Sequence, residues 1–218
     1  MTSLSFKTQF AKTPVPYPTA LATMQEAVLN QQQNHSHQGL LWFLEHPPIY
    51  TAGTSAKSQD LLGIKDIPVF QTGRGGQYTY HGPGQQIVYI VFDLKKWQRD
   101  VRAYVDHLQK WLIAVLAALD VPARCHKDRI GIWVDTKKGE AKIAAIGIRI
   151  SRWIASHGIA FNIKPDLDHF KGIVPCGISD FGVTSLYDLG IEIEQEKLQL
   201  LMIEKFAETF HVNCGGHA

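Results

Sequence analysis

Apolar residues recur along this chain at two spacings, and each spacing predicts a different kind of element. Between Asp100 and Asp120, Val101, Tyr104, Val105, Leu108, Trp111, Leu112, Val115, Leu116 and Leu119 fall at three- and four-residue steps, the period of a helix with one buried face. Asp100 stands where an N-cap belongs, so the helix is expected to begin beside it and to lie against a sheet. The same period runs more weakly through Leu21, Met24 and Val28 within residues 18–33, and again through EKLQLLMIEKFAETF near the end. Shorter apolar runs closed by proline, glycine or polar turns read as strands: GLLWFLEH before Pro47 and Pro48, IPVFQT, QIVYIVFDL, GIWVD, AKIAAIGIRI and HGIAFNI. TKKGE predicts a hairpin turn, and HVNCGGHA a frayed tail.

Helices and strands alternate without a strict βαβ repeat, and hairpins are frequent. The pattern predicts an α+β fold, a mixed and largely antiparallel sheet with helices packed on it. Nothing along the chain reads as a repeat, a low-complexity tract or a linker, so residues 1–218 are expected to form one domain. Composition agrees, since 218 residues that are 45% hydrophobic can fill a sizeable core. Charge narrows the function: a net +2 with scattered basic residues argues against nucleic acid as a partner. The N-terminal MTSLSFKTQF lacks the pattern of a secretory signal. No run reaches the roughly 18 apolar residues of a membrane span. Cys125, Cys176 and Cys214 are odd in number and widely spaced, as expected of reduced thiols in the cytoplasm. His35 and His37 in NHSH, and adjacent Cys125 and His126, do not repeat the paired spacing of zinc ligands, so no metal is expected.

Three segments carry more than packing. RGGQYTYHGPGQ, Arg74 to Gln85, combines glycines with Tyr78, Tyr80, His81 and a fixed charge. Such a loop allows close backbone approach to a ligand, but it lacks the lysine of a P-loop and the GxGxxG spacing of a dinucleotide site; a decorated hairpin turn is the alternative. Lys142 sits in the apolar run AKIAAIGI. Strand alternation puts Lys142, Ala144 and Ile146 on one face, where small Ala144 would leave room for a ligand; an edge lysine reaching to water is the alternative. Cys176 stands between Pro175 and Gly177. A buried structural thiol is the common case, yet a Pro-Gly frame belongs to a tight turn that can present sulfur outward. As a nucleophile it would need a cation or base to supply thiolate, and Lys142 and His81 are the two candidates.

Taken together, RGGQYTYHGPGQ, KIAAIGIRISRWIASHGIAFNI and GIVPCGISDFGVTSL closely resemble, in order, the three signature segments of the lipoyl(octanoyl) transferases, and with the strands between them cover about residues 70–190. The resemblance implies the fold of the biotin and lipoate protein ligase catalytic domains. It implies transfer of an octanoyl group from octanoyl acyl carrier protein to a lysine of a lipoyl domain, such as those of 2-oxoacid dehydrogenases or the glycine cleavage H protein. No cofactor and no ATP are implied. By residue-by-residue match, Cys176 would carry the acyl group with Lys142 as its dyad partner. Arg74, Gly75, Gly76, Gln77, Tyr78, Thr79, Tyr80 and His81, with Ala145, Ile146, Gly147, Gly158, Ile159 and Ala160, would line the substrate site. Tyr78 stands where a smaller aliphatic residue is common in the family. The rival readings are an ATP-dependent lipoate ligase of the same fold, a thioesterase, and a non-catalytic binder of the carrier protein.

Overall fold

Strand β6 (Gln85–Asp93) and strand β10 (Ile154–Asn162) are buried at every residue, so they must lie in the middle of a sheet covered on both faces. The computed structural model, which describes residues 4–33, 38–63, 66–174 and 182–215, shows them paired antiparallel at its centre. Outward on one side come β2 (Gly39–Leu44), β1 (Ser5–Phe10) and β12 (Asn213–Gly215); on the other come β9 (Gly139–Ser151), β8 (Ile132–Thr136) and β7 (Ala123–Arg124). Strand β11 (Gly182–Val183) runs parallel to the start of β9. A smaller sheet joins β4 (Val69–Gln71), β3 (Ile49–Ala52) and β5 (Tyr78–His81). The architecture is the α+β one expected from the sequence, largely antiparallel, with parallel pairing among the described residues where β12, β1 and β2 run side by side, where β11 joins β9 and where β4 joins β3.

Helix α2 (Val101–Ala117) and helix α3 (Gln195–Phe210) cover one face of the large sheet. Asp100 caps α2, its carboxylate accepting from the amides of Arg102 at 2.8 Å and Ala103 at 3.1 Å. Of the apolar stripe of α2, Tyr104, Leu108, Trp111, Leu112, Val115 and Leu116 are buried while Val101 in the first turn is exposed, and Trp111 donates its indole N–H to the Met202 carbonyl of α3 at 2.8 Å. Helix α1 (Tyr17–Gln32) covers the other face through Ala20 and Met24, which pack on Trp42, Leu44, Ile87, Tyr89 and Ala160.

Two local expectations change. The final segment is not a frayed tail throughout: Asn213–Gly215 pair in parallel with Ser5–Lys7, because β1 otherwise presents an open edge. The alternation of β9 is also broken. Trp133 faces Lys142 and the next residue back, Ile132, faces Ala144, so Ile143 is an extra residue in a bulge. Ile143 and Ala144 therefore both pack into the core beneath α2, and Ala144 leaves no space for a ligand.

The cap gives a direct check. Asp100→Ala should cost about 1 kcal/mol of stability with an unchanged urea m-value, since it removes two bonds and no buried surface.

Candidate active site

Across β6, β10 and β9 run two adjacent rows of residues, Tyr89–Gly158–Gly147 and Ile87–Ala160–Ala145. Each row starts with a large side chain and continues with two small ones, so the sheet carries a shallow trough over β10 and β9 on its α1 side. The small residues are not exchangeable for larger ones. A Cβ on Gly158 would lie 2.1 Å from the Val88 carbonyl, and one on Gly147 would lie 2.9 Å from Cδ of Arg74.

The glycine loop closes the trough from above. Gly75 donates its amide to the Ile148 carbonyl at 2.9 Å, which ties the loop across β9. Gly76 has φ +85°, a left-handed conformation that glycine adopts without strain. Arg74 is buried and directed inward: it donates to the carbonyls of Gly75 at 2.9 Å, Thr51 at 2.7 Å and Gln77 at 3.0 Å, and to the Thr51 hydroxyl at 2.7 Å. It shapes the loop from inside. The result is a narrow cleft, partly open to solvent.

Arg74 to Thr79, His81, Ala145 to Gly147 and Gly158 to Ala160 all line this one cleft. Tyr80 does not; its ring points to the other side of β5, against His169 at 4.8 Å, Phe170 at 5.5 Å and Tyr50 at 5.8 Å. The lining adds residues that the motifs did not single out, Tyr17, Thr51, Ile87, Tyr89 and His157. Tyr17 and Tyr89 sit in segments whose only sequence signal is the apolar periodicity of core elements.

A single chain of hydrogen bonds braces the cleft, and its direction is fixed at one end. Asn162 donates its amide to the Thr184 backbone carbonyl at 2.9 Å, an oxygen that can only accept. The one oxygen of the Asn162 side chain then accepts from the Gln85 amide nitrogen at 2.9 Å, and the Gln85 oxygen accepts from His81 Nδ1 at 2.7 Å. His81 is thereby held with its proton on Nδ1, and Nε2 accepts from the Thr51 hydroxyl at 3.3 Å, which itself accepts from Arg74. A parallel argument fixes His46: Nδ1 donates to the Val15 carbonyl at 2.6 Å, so Nε2 accepts from the Tyr89 hydroxyl at 2.7 Å.

These histidines are neutral at ordinary pH. Burial pushes His81 down to about 3, helped by His46, Arg74 and His157 against the bond to Gln85. Burial pushes His46 down to about 4, and His157 to about 4 with help from Arg74 and Arg149. A neutral, doubly bonded His81 serves the cleft as a brace.

Lys142 lies beyond the cleft on β9 and is buried, not at an open edge. Its ammonium nitrogen donates to the Ile130 carbonyl at 3.1 Å and lies 4.8 Å from the ring centre of Trp133. The loop that supplies Ile130 is clamped by Glu140, which accepts from Arg124 at 2.6 Å, His126 at 3.0 Å and Arg129 at 2.6 Å. Partial burial works to raise the Glu140 carboxyl, but the bonds from Arg124 and His126 and the charge of Arg129 hold it below its ordinary value. Val183 pairs with Lys142 in register, and Thr184 donates its amide to the Lys142 carbonyl at 3.0 Å. The hydrogen-bond chain from Arg74 thus ends on the backbone beside Lys142. Cys176, with Gly177 and Ile178 after it, lies outside the described residues, as do His35 and His37. Of the other thiols, Cys125 is exposed, and burial pushes Cys214 up to about 11, away from thiolate chemistry at neutral pH.

Residues 16–207 match the lipoyl protein ligase A/B catalytic domain. The chain belongs to this family. An octanoyltransferase of Parvibaculum lavamentivorans is 52% identical over 90% of this chain and 89% of its own length. Among solved structures, members of the lipoyl ligase group share the fold at low identity. The bi-partite lipoate protein ligase of Thermoplasma acidophilum superposes with a TM-score of 0.74 at 15% identity, covering 98% of this chain and 87% of that one. Lipoate-protein ligase A bound with ATP gives 0.74 at 16% identity, covering 100% of this chain and 89% of that one.

The buried histidines predict an acid-sensitive fold. Their folded pKa values lie below the unfolded value near 6.5, so between about pH 4 and 6.5 the unfolded chain binds more protons. Stability should be fully present above about pH 6.5 and fall as pH drops toward 4, with a slope approaching about 1.4 kcal/mol per pH unit for each histidine. Urea unfolding between pH 7 and 5 measures the slope, and His46→Gln should make it shallower whatever it does to the plateau.

Proposed function

We propose that this chain moves an octanoyl group from octanoyl acyl carrier protein to a lysine of a lipoyl domain through a thioester on Cys176, with Lys142 carrying the protons. The observation that supports it most strongly is a buried lysine, clamped by its own loop at one end of a trough floored by Ala145, Gly147, Gly158 and Ala160. A trough floored by glycine and alanine suits an alkyl chain, and a held amine at its end suits acyl transfer. The enzyme class is that of the relatives, an acyltransferase of lipoate biosynthesis.

The chemistry divides into two exchanges. In the first, the Cys176 thiolate attacks the carrier's thioester carbonyl, the carbon–sulfur bond to the carrier's phosphopantetheine breaks, and the Lys142 ammonium protonates the departing thiolate. In the second, the amine of the lipoyl-domain lysine attacks the acyl-enzyme, neutral Lys142 takes its proton, and Cys176 leaves as thiolate. Thioester-to-thioester exchange is nearly thermoneutral and the final amide is more stable, so the sequence of steps runs without ATP. Backbone amides at Gly177 and Ile178 are the proposed donors to each oxyanion.

We place residues 1–218 in one catalytic domain working in the cytoplasm, with the 2-oxoacid dehydrogenase lipoyl domains and the glycine cleavage H protein as acceptors. Among the described residues, no helix is long and apolar enough to cross a membrane.

Intact mass after incubation with octanoyl acyl carrier protein should show one octanoyl adduct in the wild type and none in Cys176→Ala; transfer by Cys176→Ala at the wild-type rate would refute the acyl-enzyme. Lys142→Met keeps the stem beside Trp133 and should lower transfer by roughly 100-fold or more. Modification that requires ATP would point to a ligase, and release of octanoate unaffected by apo lipoyl domain to a thioesterase.

A further inference from the structure

Lys142 is held by more than one bond. The Ile130 carbonyl accepts from its ammonium, the Trp133 ring lies beside it, and the backbone at Gly131 is moulded to its stem. Gly131 has φ +138°, and a Cβ there would lie 2.9 Å from Cε of Lys142, 3.2 Å from its Nζ and 2.9 Å from the Ala144 carbonyl. Residues 130, 131 and 133 together shape the space that the amine occupies.

Residues 125–131, between β7 and β8, belong to no helix or strand. Side chains hold them in place. The Trp133 indole N–H donates to the Arg129 carbonyl at 3.3 Å, and the Arg129 guanidinium folds back over the same ring, 4.5 Å from its centre. Arg129 also donates to Glu140 at 2.6 Å, and His126 meets the other oxygen of that carboxylate at 3.0 Å. The Arg129 and Glu140 side chains are each only 13% exposed, which sets them apart from the freely solvated pairs that contribute little.

Strand register links the acid to the lysine. Pairing of β8 with β9 is regular from Thr136 opposite Gly139 to Trp133 opposite Lys142, so Glu140 and Lys142 share a face, about 7 Å apart along the strand. One strand therefore carries both ends of a closed circuit. It runs from Lys142 to the Ile130 carbonyl, along the loop to Arg129 and His126, and back to Glu140.

We propose that Glu140 is a positioning residue for the transfer reaction: it anchors the loop that aims the Lys142 amine. This rests on the acyl-transfer reading above. In that reading Lys142 meets two different partners, the departing carrier thiol and the incoming lysine amine, and each proton transfer needs it within hydrogen-bond reach. A lysine stem is flexible, and a misplacement of about 1 Å can cost roughly 100-fold. Loss of the carboxylate releases Arg129 and His126 from their anchor together.

Glu140→Gln tests this, because it keeps the size of the side chain and removes the charge that gathers the loop. In steady-state transfer from octanoyl acyl carrier protein to an apo lipoyl domain, it should lower kcat roughly tenfold and leave KM for the carrier protein unchanged. In Lys142→Met, where no amine is left to aim, the same substitution should change the residual rate by about twofold at most. Asp135→Asn loosens only the exposed Arg124 arm of the cluster and should transfer at the wild-type rate. Should Glu140→Gln fail to fold, Arg129→Gln cuts the same link from the loop side and is read in the same two backgrounds. A folded variant with wild-type kcat, or an equal fall in the wild-type and Lys142→Met backgrounds, overturns the proposal. An equal fall in Asp135→Asn overturns it too, since the effect then belongs to surface charge in general. Full-rate transfer by Lys142→Met refutes the proton role of Lys142, and failure of the wild type to transfer octanoyl refutes the acyl-transfer reading, so these failures are distinguishable from that of Glu140.

Discussion

One backbone carbonyl orders the polar interior of this protein. Because the Thr184 oxygen can only accept, Asn162, Gln85, His81, Thr51 and Arg74 each have a single assignment for donor and acceptor. The chain passes from β11 through β10, β6, β5 and β3 to the glycine loop, so two sheets and a loop share one register of protons. Each group in it is buried, and a buried polar group left unsatisfied costs about 1–3 kcal/mol. Breaking any link therefore disturbs the geometry at both ends, the loop over the cleft and the backbone beside Lys142.

A second constraint is steric. Gly158 has the Val88 carbonyl where a Cβ would be, and Gly147 has the stem of Arg74. The arginine that reads in sequence as a charge for a ligand thus packs its alkyl part on the strand and directs its guanidinium into loop carbonyls. Charge and shape are one feature here, since the same residue folds the loop and limits the depth of the trough.

Elements with strong periodicity were legible from the chain alone: α2 starts beside Asp100 and buries most of the residues at its three- and four-residue steps, Val101 excepted, and β6 and β10 fall where apolar runs predict them. The cleft was legible in part, because the glycine loop and the small residues of β9 and β10 stand in quotable motifs. What escaped has physical causes. Strand alternation fails at Ile143, where a bulge sends Ala144 into the core, and at His157, where a left-handed residue brings a side chain around to the other face. Neither departure has a glycine or proline to announce it. Asn162 and Gln85 were inside the motifs, but their role depends on partners far away in sequence. Strand β12 escaped because Asn213–Gly215 has no apolar pattern and forms only against a strand already present.

That last pairing bears on how the molecule is made. Strand β1 is covered on its outer edge by β12, a segment far from it along the chain, so that edge stays open until this distant segment has docked. Contacts of such separation form late in folding, and an open strand edge is a template for other chains. Folding thus passes through a stage in which the sheet is nearly complete and one margin is still adhesive.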